Sequence, residues 1–181
     1  MSVAVYVLPL RSYLSGSIRI GWEGGASAPT MRRRSTEEAG RLLDAFRDQL
    51  EGLLAFRPDW DEEGPAREAK VFSLDSFASP FEFARSQAYR RRLPVLCALE
   101  APQIWLPADF EPVFQVTPPW RAESTTSLAS TARVASELER LCDWIAEEDR
   151  EDLAGARHVA EQLRGLASLG LEHRAPVIVE S

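Results

Sequence analysis

The chain has 181 residues, of which 45% are hydrophobic and 27% are charged, a composition typical of a single soluble globular domain over residues 1–181. The net charge of −7 argues against a nucleic acid ligand, which normally needs a basic surface, and favours a basic protein partner. No apolar run reaches the roughly 20 residues that span a bilayer, and no signal peptide is evident. We therefore expect a cytoplasmic protein without membrane contact.

Two extended segments and a helix are predicted in the first third of the chain. Residues 2–10 are rich in apolar and β-branched side chains, and residues 17–22 alternate apolar with polar side chains. These patterns indicate two strands that could pair as a hairpin. Ser35 and Glu38 form a capping box, which predicts a helix over 36–56.

Short extended and helical patterns alternate through the middle of the chain. Residues 71–77 are predicted as a strand, and 80–92 as a helix with Ser79 as its N-cap and Pro80 in its first turn. The apolar run 93–100 is predicted as another strand. The remaining extended segments of this region are 103–107 and 112–116.

Two long helices and a final strand are predicted towards the C-terminus. The helical pair within about 127–169 covers 127–149 and 152–169, and could form either a hairpin or one kinked rod. The last strand is 175–180. Because strand and helix patterns alternate, we predict an α/β fold, with α+β as the alternative, in which about four helices pack on a mixed sheet of five to seven short strands. The predicted core residues are Leu42, Phe46, Leu50, Leu138, Leu141, Ile145 and Leu163.

Recognisable catalytic and cofactor-binding motifs are absent from the sequence. It contains no phosphate-binding P-loop, no dinucleotide fingerprint, no nucleophile elbow and no zinc-protease motif. His158 and Glu161 have a spacing that can hold a metal ion, but no further ligands accompany them. We therefore predict no catalytic residues, no metal and no cofactor. The two cysteines, Cys97 and Cys142, are predicted to be reduced and mostly buried.

The polar loop after the first long helix contains one tryptophan among four acidic residues. Asp59, Asp61, Glu63 and Gly64 match the first, third, fifth and sixth positions of a calcium-binding loop, but Lys70 replaces the bidentate glutamate at the twelfth position, so we predict no calcium. Two alternatives remain: a solvated loop whose tryptophan packs into the core, or a patch in which an exposed tryptophan anchors a partner. The residues predicted to bind a partner are Asp59, Trp60, Asp61, Glu62 and Glu63.

Residues 101–120 combine aromatic side chains and prolines with two isolated acids. The prolines favour turns, and the aromatic residues are predicted to fill the core from a sheet edge while Asp109 and Glu111 point outward. The segment 104–114 (IWLPADFEPVF), together with 127–141 (SLASTARVASELERL), resembles the small acidic immunity proteins of bacterial polymorphic toxin systems. This resemblance implies a protein that neutralises a toxin by binding it.

The predicted function is non-catalytic binding of a basic protein partner through an acidic surface. A small enzyme with an unrecognised site is one alternative, and a structural or assembly subunit of a phage or secretion system is another. A deep pocket with converging titratable groups would favour the enzyme. A flat acidic face with exposed aromatic residues would favour the binding protein.

Overall fold

Six strands and six α-helices form the described part of the chain, which is residues 1–16, 34–87, 92–121, 123–148 and 150–180 of a computed structural model. The strands are β1 (Ser2–Val7), β2 (Glu68–Ser73), β3 (Gln103–Leu106), β4 (Phe114–Val116), β5 (Thr126–Ser130) and β6 (Val177–Glu180). The helices are α1 (Leu10–Ser15), α2 (Thr36–Leu54), α3 (Leu74–Ser86), α4 (Pro94–Ala98), α5 (Thr131–Glu148) and α6 (Ala154–Glu172). The predicted α/β class is confirmed.

All six strands belong to one mixed sheet in the order β2-β1-β6-β3-β5-β4. β3 and β5 are parallel, and the other neighbouring pairs are antiparallel. The two ends of the chain meet in the middle of the sheet, where Val5 of β1 lies opposite Val179 of β6. The predicted strand 17–22, and with it the predicted hairpin, lies outside the described residues.

Helices cover both faces of this sheet. Successive side chains of a strand point to opposite faces, so Val5 and Val7 of β1 pack in the core formed by α3, α4, α5 and α6, while Ala4 and Tyr6 pack with α1 and α2. β1 is therefore buried on both sides, which explains why its sequence is a continuous apolar run without alternation.

The predicted strand at 93–100 is wrong, because Pro94–Ala98 forms the helix α4. Pro94 has the backbone geometry of a first helical residue and needs no N–H partner there. The N–H groups of the next two residues are bound by the carboxylate of Glu137 on α5. The acceptor that satisfies this helix end is thus 41 and 42 residues away in the chain.

The predicted helix 127–149 is wrong at its beginning. Residues Thr126–Ser130 form the strand β5, and α5 begins at Thr131. β5 lies between β3 and β4 in the sheet, so two neighbouring strands satisfy its backbone groups. Pairing with distant segments has overridden the local preference of the serine and threonine residues for a helix cap.

Helix α3 begins before the predicted start at Pro80. The hydroxyl of Ser73 accepts a hydrogen bond from the N–H of Ser76 at 3.1 Å, so Ser73 is the N-cap and the predicted cap, Ser79, is not. Pro80 lies inside the helix, where it has no N–H to donate to the carbonyl of Ser76. The Ser79 hydroxyl donates to that carbonyl at 2.8 Å and replaces the missing backbone bond.

The C-terminal helices α5 and α6 pack against each other as a hairpin, which resolves the choice between a hairpin and a kinked rod. Arg164 and Glu139 lie 4.0 Å apart across the pair. Six of the seven predicted core residues are buried, and Leu42 is partly buried.

Helix α2 agrees with its prediction at both ends to within two residues. Its N-cap is Ser35, whose hydroxyl accepts from the N–H of Glu38 at 3.1 Å. Within the described ranges, no helix has both the length and the apolarity needed to cross a membrane.

Candidate functional site

The acidic loop that follows α2 encloses its tryptophan. Trp60 is 3% exposed and packs in the core between the sheet, α1 and α2. Its ring centroid lies 6.3 Å from that of Phe46, and the guanidinium of Arg47 lies 4.9 Å from it. Of the two alternatives for this loop, the structure shows the packed tryptophan, so Trp60 is not an exposed anchor.

Glu62, at the centre of the loop, is already committed to two ion pairs. Its carboxylate lies 3.2 Å from Arg11 of α1 and 2.7 Å from Arg47 of α2, and its side chain is 17% exposed. These contacts connect the loop to both helices of this layer. Glu62 therefore stabilises the loop and offers little charge to a partner.

The other three carboxylates of the loop are more accessible. Asp59 is exposed and forms a surface ion pair with Arg174, an interaction that typically contributes little to stability. The Asp61 carboxylate accepts a hydrogen bond from the N–H of Glu63 at 3.0 Å. Glu63 is exposed and has no ion pair among the described residues.

Exposed apolar side chains lie immediately before this loop, at the C-terminal end of α2. Leu53 and Phe56 are each 40% exposed. The cleft beside the loop, about 550 Å³ in volume, is lined by charges of both signs, among them Arg67, Glu172 and Arg174. The loop thus combines accessible carboxylates with a neighbouring aromatic residue, although not with the one that the sequence indicated.

A second and more enclosed cavity, of about 440 Å³, lies between α4, α5 and the loop from β3 to β4. We call it the α4–α5 pocket. Its apolar floor consists of Pro94, Val95, Ala98, Pro112 and Val113. Charged side chains of α5, of Arg92 before α4 and of Glu111 surround this floor, together with Ser136. The pocket therefore combines an apolar body with a charged rim, an arrangement that suits an amphipathic small molecule.

Glu137 is the buried carboxylate of this pocket. One of its oxygens accepts from the N–H of Val95 at 3.2 Å and the other from the N–H of Leu96 at 2.9 Å. Burial raises the pKa of Glu137, and the two hydrogen bonds oppose that rise in part. Arg140 lies 3.7 Å from the carboxylate, which is too far for a hydrogen bond.

The arginines around the pocket differ in whether they form ion pairs with carboxylates of the protein. Arg133 contacts both Asp109, at 2.9 Å, and Glu111, so the two acids of the 101–120 segment are exposed, as predicted, and paired. Arg140 is 49% exposed. Arg92 is exposed and has no ion pair among the described residues.

A partly buried polar cluster that the sequence did not indicate lies at the C-terminal end of the central strand β6. The Tyr13 hydroxyl and the Arg121 guanidinium both donate to the same oxygen of Glu180. Burial, with the nearby negative charge of Glu180, raises the pKa of Tyr13. The surrounding cavity is about 10 Å³, so this cluster fills space and leaves no room for a ligand.

The remaining chemically active residues do not converge. His158 contacts Gln162 at 2.9 Å, and Glu161 forms an ion pair within α6. Within the part of the chain that the structure describes, no three or more His, Cys, Asp and Glu side chains are grouped so as to hold a metal ion.

The two cysteines are free, and burial raises the pKa of both thiols. Cys142 is buried, in agreement with its prediction. Cys97 is partly buried, so its predicted burial is confirmed only in part. Its position on α4 explains the difference, because one side of that short helix faces solvent.

Comparisons of the chain with protein-family models, with curated proteins and with solved structures found no match. The resemblance to immunity proteins of toxin systems therefore stays a hypothesis.

Proposed function

We propose that the protein is non-catalytic and acts by binding a basic protein partner. The observation that carries this proposal is the location of its negative charge. The net charge is −7, and among the described residues Glu137 is the only buried acidic side chain. The other described carboxylates lie wholly or partly at the surface, where they create the field that a cationic partner meets.

The proposed contact surface is the C-terminal end of α2 with the loop that follows it. We call Leu53, Phe56, Asp59 and Glu63 the α2-end surface. Because Trp60 is buried, Phe56 takes the place of the anchor that the sequence assigned to Trp60. An exposed aromatic side chain beside accessible carboxylates is a typical composition for a binding hot spot with a charged rim.

The electrostatics also determine which partners are favoured. A negative surface speeds the encounter with a positive protein and repels the phosphates of nucleic acids. Neutralisation of a basic toxin in the cytoplasm is the biological role that agrees with this chemistry and with the sequence resemblance. That role is part of the proposal.

Affinity capture from extracts of the source organism, followed by calorimetry with the purified partner, tests the proposal. We expect a basic partner, and we expect the triple variant Phe56→Ala, Asp59→Ser, Glu63→Ser to bind it at least about tenfold more weakly, since hot-spot truncations cost about 2 kcal/mol or more. The matched control carries Leu74→Ala, Glu100→Ser and Glu123→Ser, which remove the same kinds of exposed side chain elsewhere. Its affinity should equal that of the wild type.

Three results would contradict the proposal in different ways. Equal affinity of the triple variant and the wild type would show that the α2-end surface is not the contact. An acidic partner would contradict the electrostatic argument. Turnover of a small molecule by the purified chain, without any captured protein, would favour the enzyme alternative.

A further inference from the structure

We propose that the α4–α5 pocket binds a small amphipathic carboxylate, with its apolar body on the pocket floor and its head group on Arg92 and Arg140. The pocket lies on the face of the sheet covered by α3, α4, α5 and α6, whereas the α2-end surface belongs to the layer on the other face. This inference does not depend on the proposed function.

The size and floor of the pocket fit the apolar part of such a ligand. Its volume of about 440 Å³ lies within the range of sites that enclose small molecules. The five floor residues are apolar, and two of them are prolines of fixed backbone geometry. A short alkyl chain or a single ring placed there would remove apolar surface from water on both partners.

The carboxylates of the pocket already have partners within the protein. Both oxygens of Glu137 accept backbone N–H groups of α4. Glu111 and the adjacent Asp109 are both paired with Arg133. These contacts already neutralise part of the negative charge that the carboxylates would offer to a cationic ligand.

The charged donors that remain available belong to Arg92 and Arg140. Arg92 has no ion pair among the described residues, and Arg140 lies 3.7 Å from Glu137, beyond hydrogen-bond distance. Guanidinium groups bind carboxylates through paired, charge-assisted hydrogen bonds. The free guanidinium donors of the pocket therefore favour a ligand with a negatively charged head group, even though the protein as a whole is acidic.

Calorimetry with octanoate as the probe tests the sign of the head group and the need for an apolar body. We expect octanoate to bind, and to raise the melting temperature of the protein progressively, as the logarithm of its concentration once the site is near saturation. Acetate lacks the apolar body, 1-octanol lacks the charge, and octyltrimethylammonium carries the opposite charge. Each of these three should bind at least about tenfold more weakly than octanoate, because each loses one of the two contributions.

Substitutions locate the binding to this pocket. Arg92→Gln and Arg140→Gln should each weaken octanoate binding about tenfold, the loss expected for a charge-assisted hydrogen bond. Ala98→Leu places bulk on the floor at an exposed helical position and should also weaken binding. The control Arg41→Gln removes an exposed arginine of α2 and should leave the affinity unchanged.

The outcome is decisive in either direction. Binding of 1-octanol as tight as that of octanoate, absence of octanoate binding, or an unchanged affinity in Arg92→Gln would each overturn the inference. Arg140 lies near the buried Glu137, so its variant is accepted only if its unfolding midpoint equals that of the wild type. Arg92→Gln breaks no ion pair within the described residues and serves as the independent test.

Discussion

Two opposing effects act on the ionisation of the Glu137 carboxylate. Burial disfavours its charged form, whereas the N–H groups of Val95 and Leu96 need an acceptor that a carboxylate provides best. The residue lies on the buried face of α5, at helical spacing from Val134 and Leu141. A polar residue in an apolar stripe was therefore the signal in the sequence that could have identified it.

The pH dependence of stability tests the balance at Glu137. Its pKa in the folded protein is raised above the ordinary value of 4.5, so the native state binds this proton more tightly than the unfolded chain does. The resulting contribution to stability is present below the unfolded pKa and is lost as the pH rises through the folded pKa. We therefore expect the free energy of unfolding of the wild type, relative to Glu137→Gln, to fall as the pH rises above the ordinary pKa of 4.5.

Urea unfolding at a series of pH values measures this difference. The neighbouring variant Glu139→Gln, which changes an exposed carboxylate, is the control and should show no such fall. A wild-type advantage over Glu137→Gln that grows with pH would mean that the hydrogen bonds from α4 outweigh the effect of burial.

At the scale of elements, the beginning of a helix depends on which side chain accepts its first free N–H groups. The seven residues before Pro80 contain three serines that could each act as an N-cap: Ser73, Ser76 and Ser79. Ser73 becomes the cap because β2 ends there and directs the chain into α3. The choice among equivalent serines is thus made by the sheet.

Replacing the cap tests this assignment. Ser73→Ala removes the acceptor for the Ser76 N–H and should lower the free energy of unfolding by about 1 kcal/mol. Ser168→Ala, at an exposed position of α6, is the control and should change it by less than about 0.5 kcal/mol. Equal effects of the two substitutions in urea unfolding would contradict the role of Ser73.

For the whole molecule, one sheet connects two cores that share no helix. Alternate residues of β1 and β6 belong to opposite cores, so neither helical layer can lose its packing without exposing one face of the same strands. This arrangement predicts a single cooperative unfolding transition.

Core truncations in each layer test this cooperativity. Leu43→Ala in α2 and Leu163→Ala in α6 remove fully buried side chains, and each should lower the free energy of unfolding by about 2–5 kcal/mol. Both should shift one common transition, measured by circular dichroism and by tryptophan fluorescence. Leu171→Ala, at an exposed position, should have little effect. Separate transitions by the two probes in either core variant would show that the layers unfold independently.

For the candidate site, the sequence located the accessible carboxylates but not the surface around them. Asp59 and Glu63 are exposed in the acidic loop, as its composition indicates. Whether Trp60 faces solvent depends on Phe46 and Arg47, which approach it from α2. The α4–α5 pocket could not be inferred from any single segment, because its floor and rim come from three parts of the chain.

The sequence by itself determined the α/β class, the extent of α2, the presence of a first strand within 2–10 and the two long C-terminal helices, because caps and apolar periodicity act within one segment. Tertiary structure alone decided that 94–98 is a helix and that 126–130 is a strand. The reason is physical: the N–H groups at the start of α4 find their acceptor in Glu137, and the backbone of β5 finds its partners in β3 and β4. Those partners are distant in the chain, and no local pattern records them.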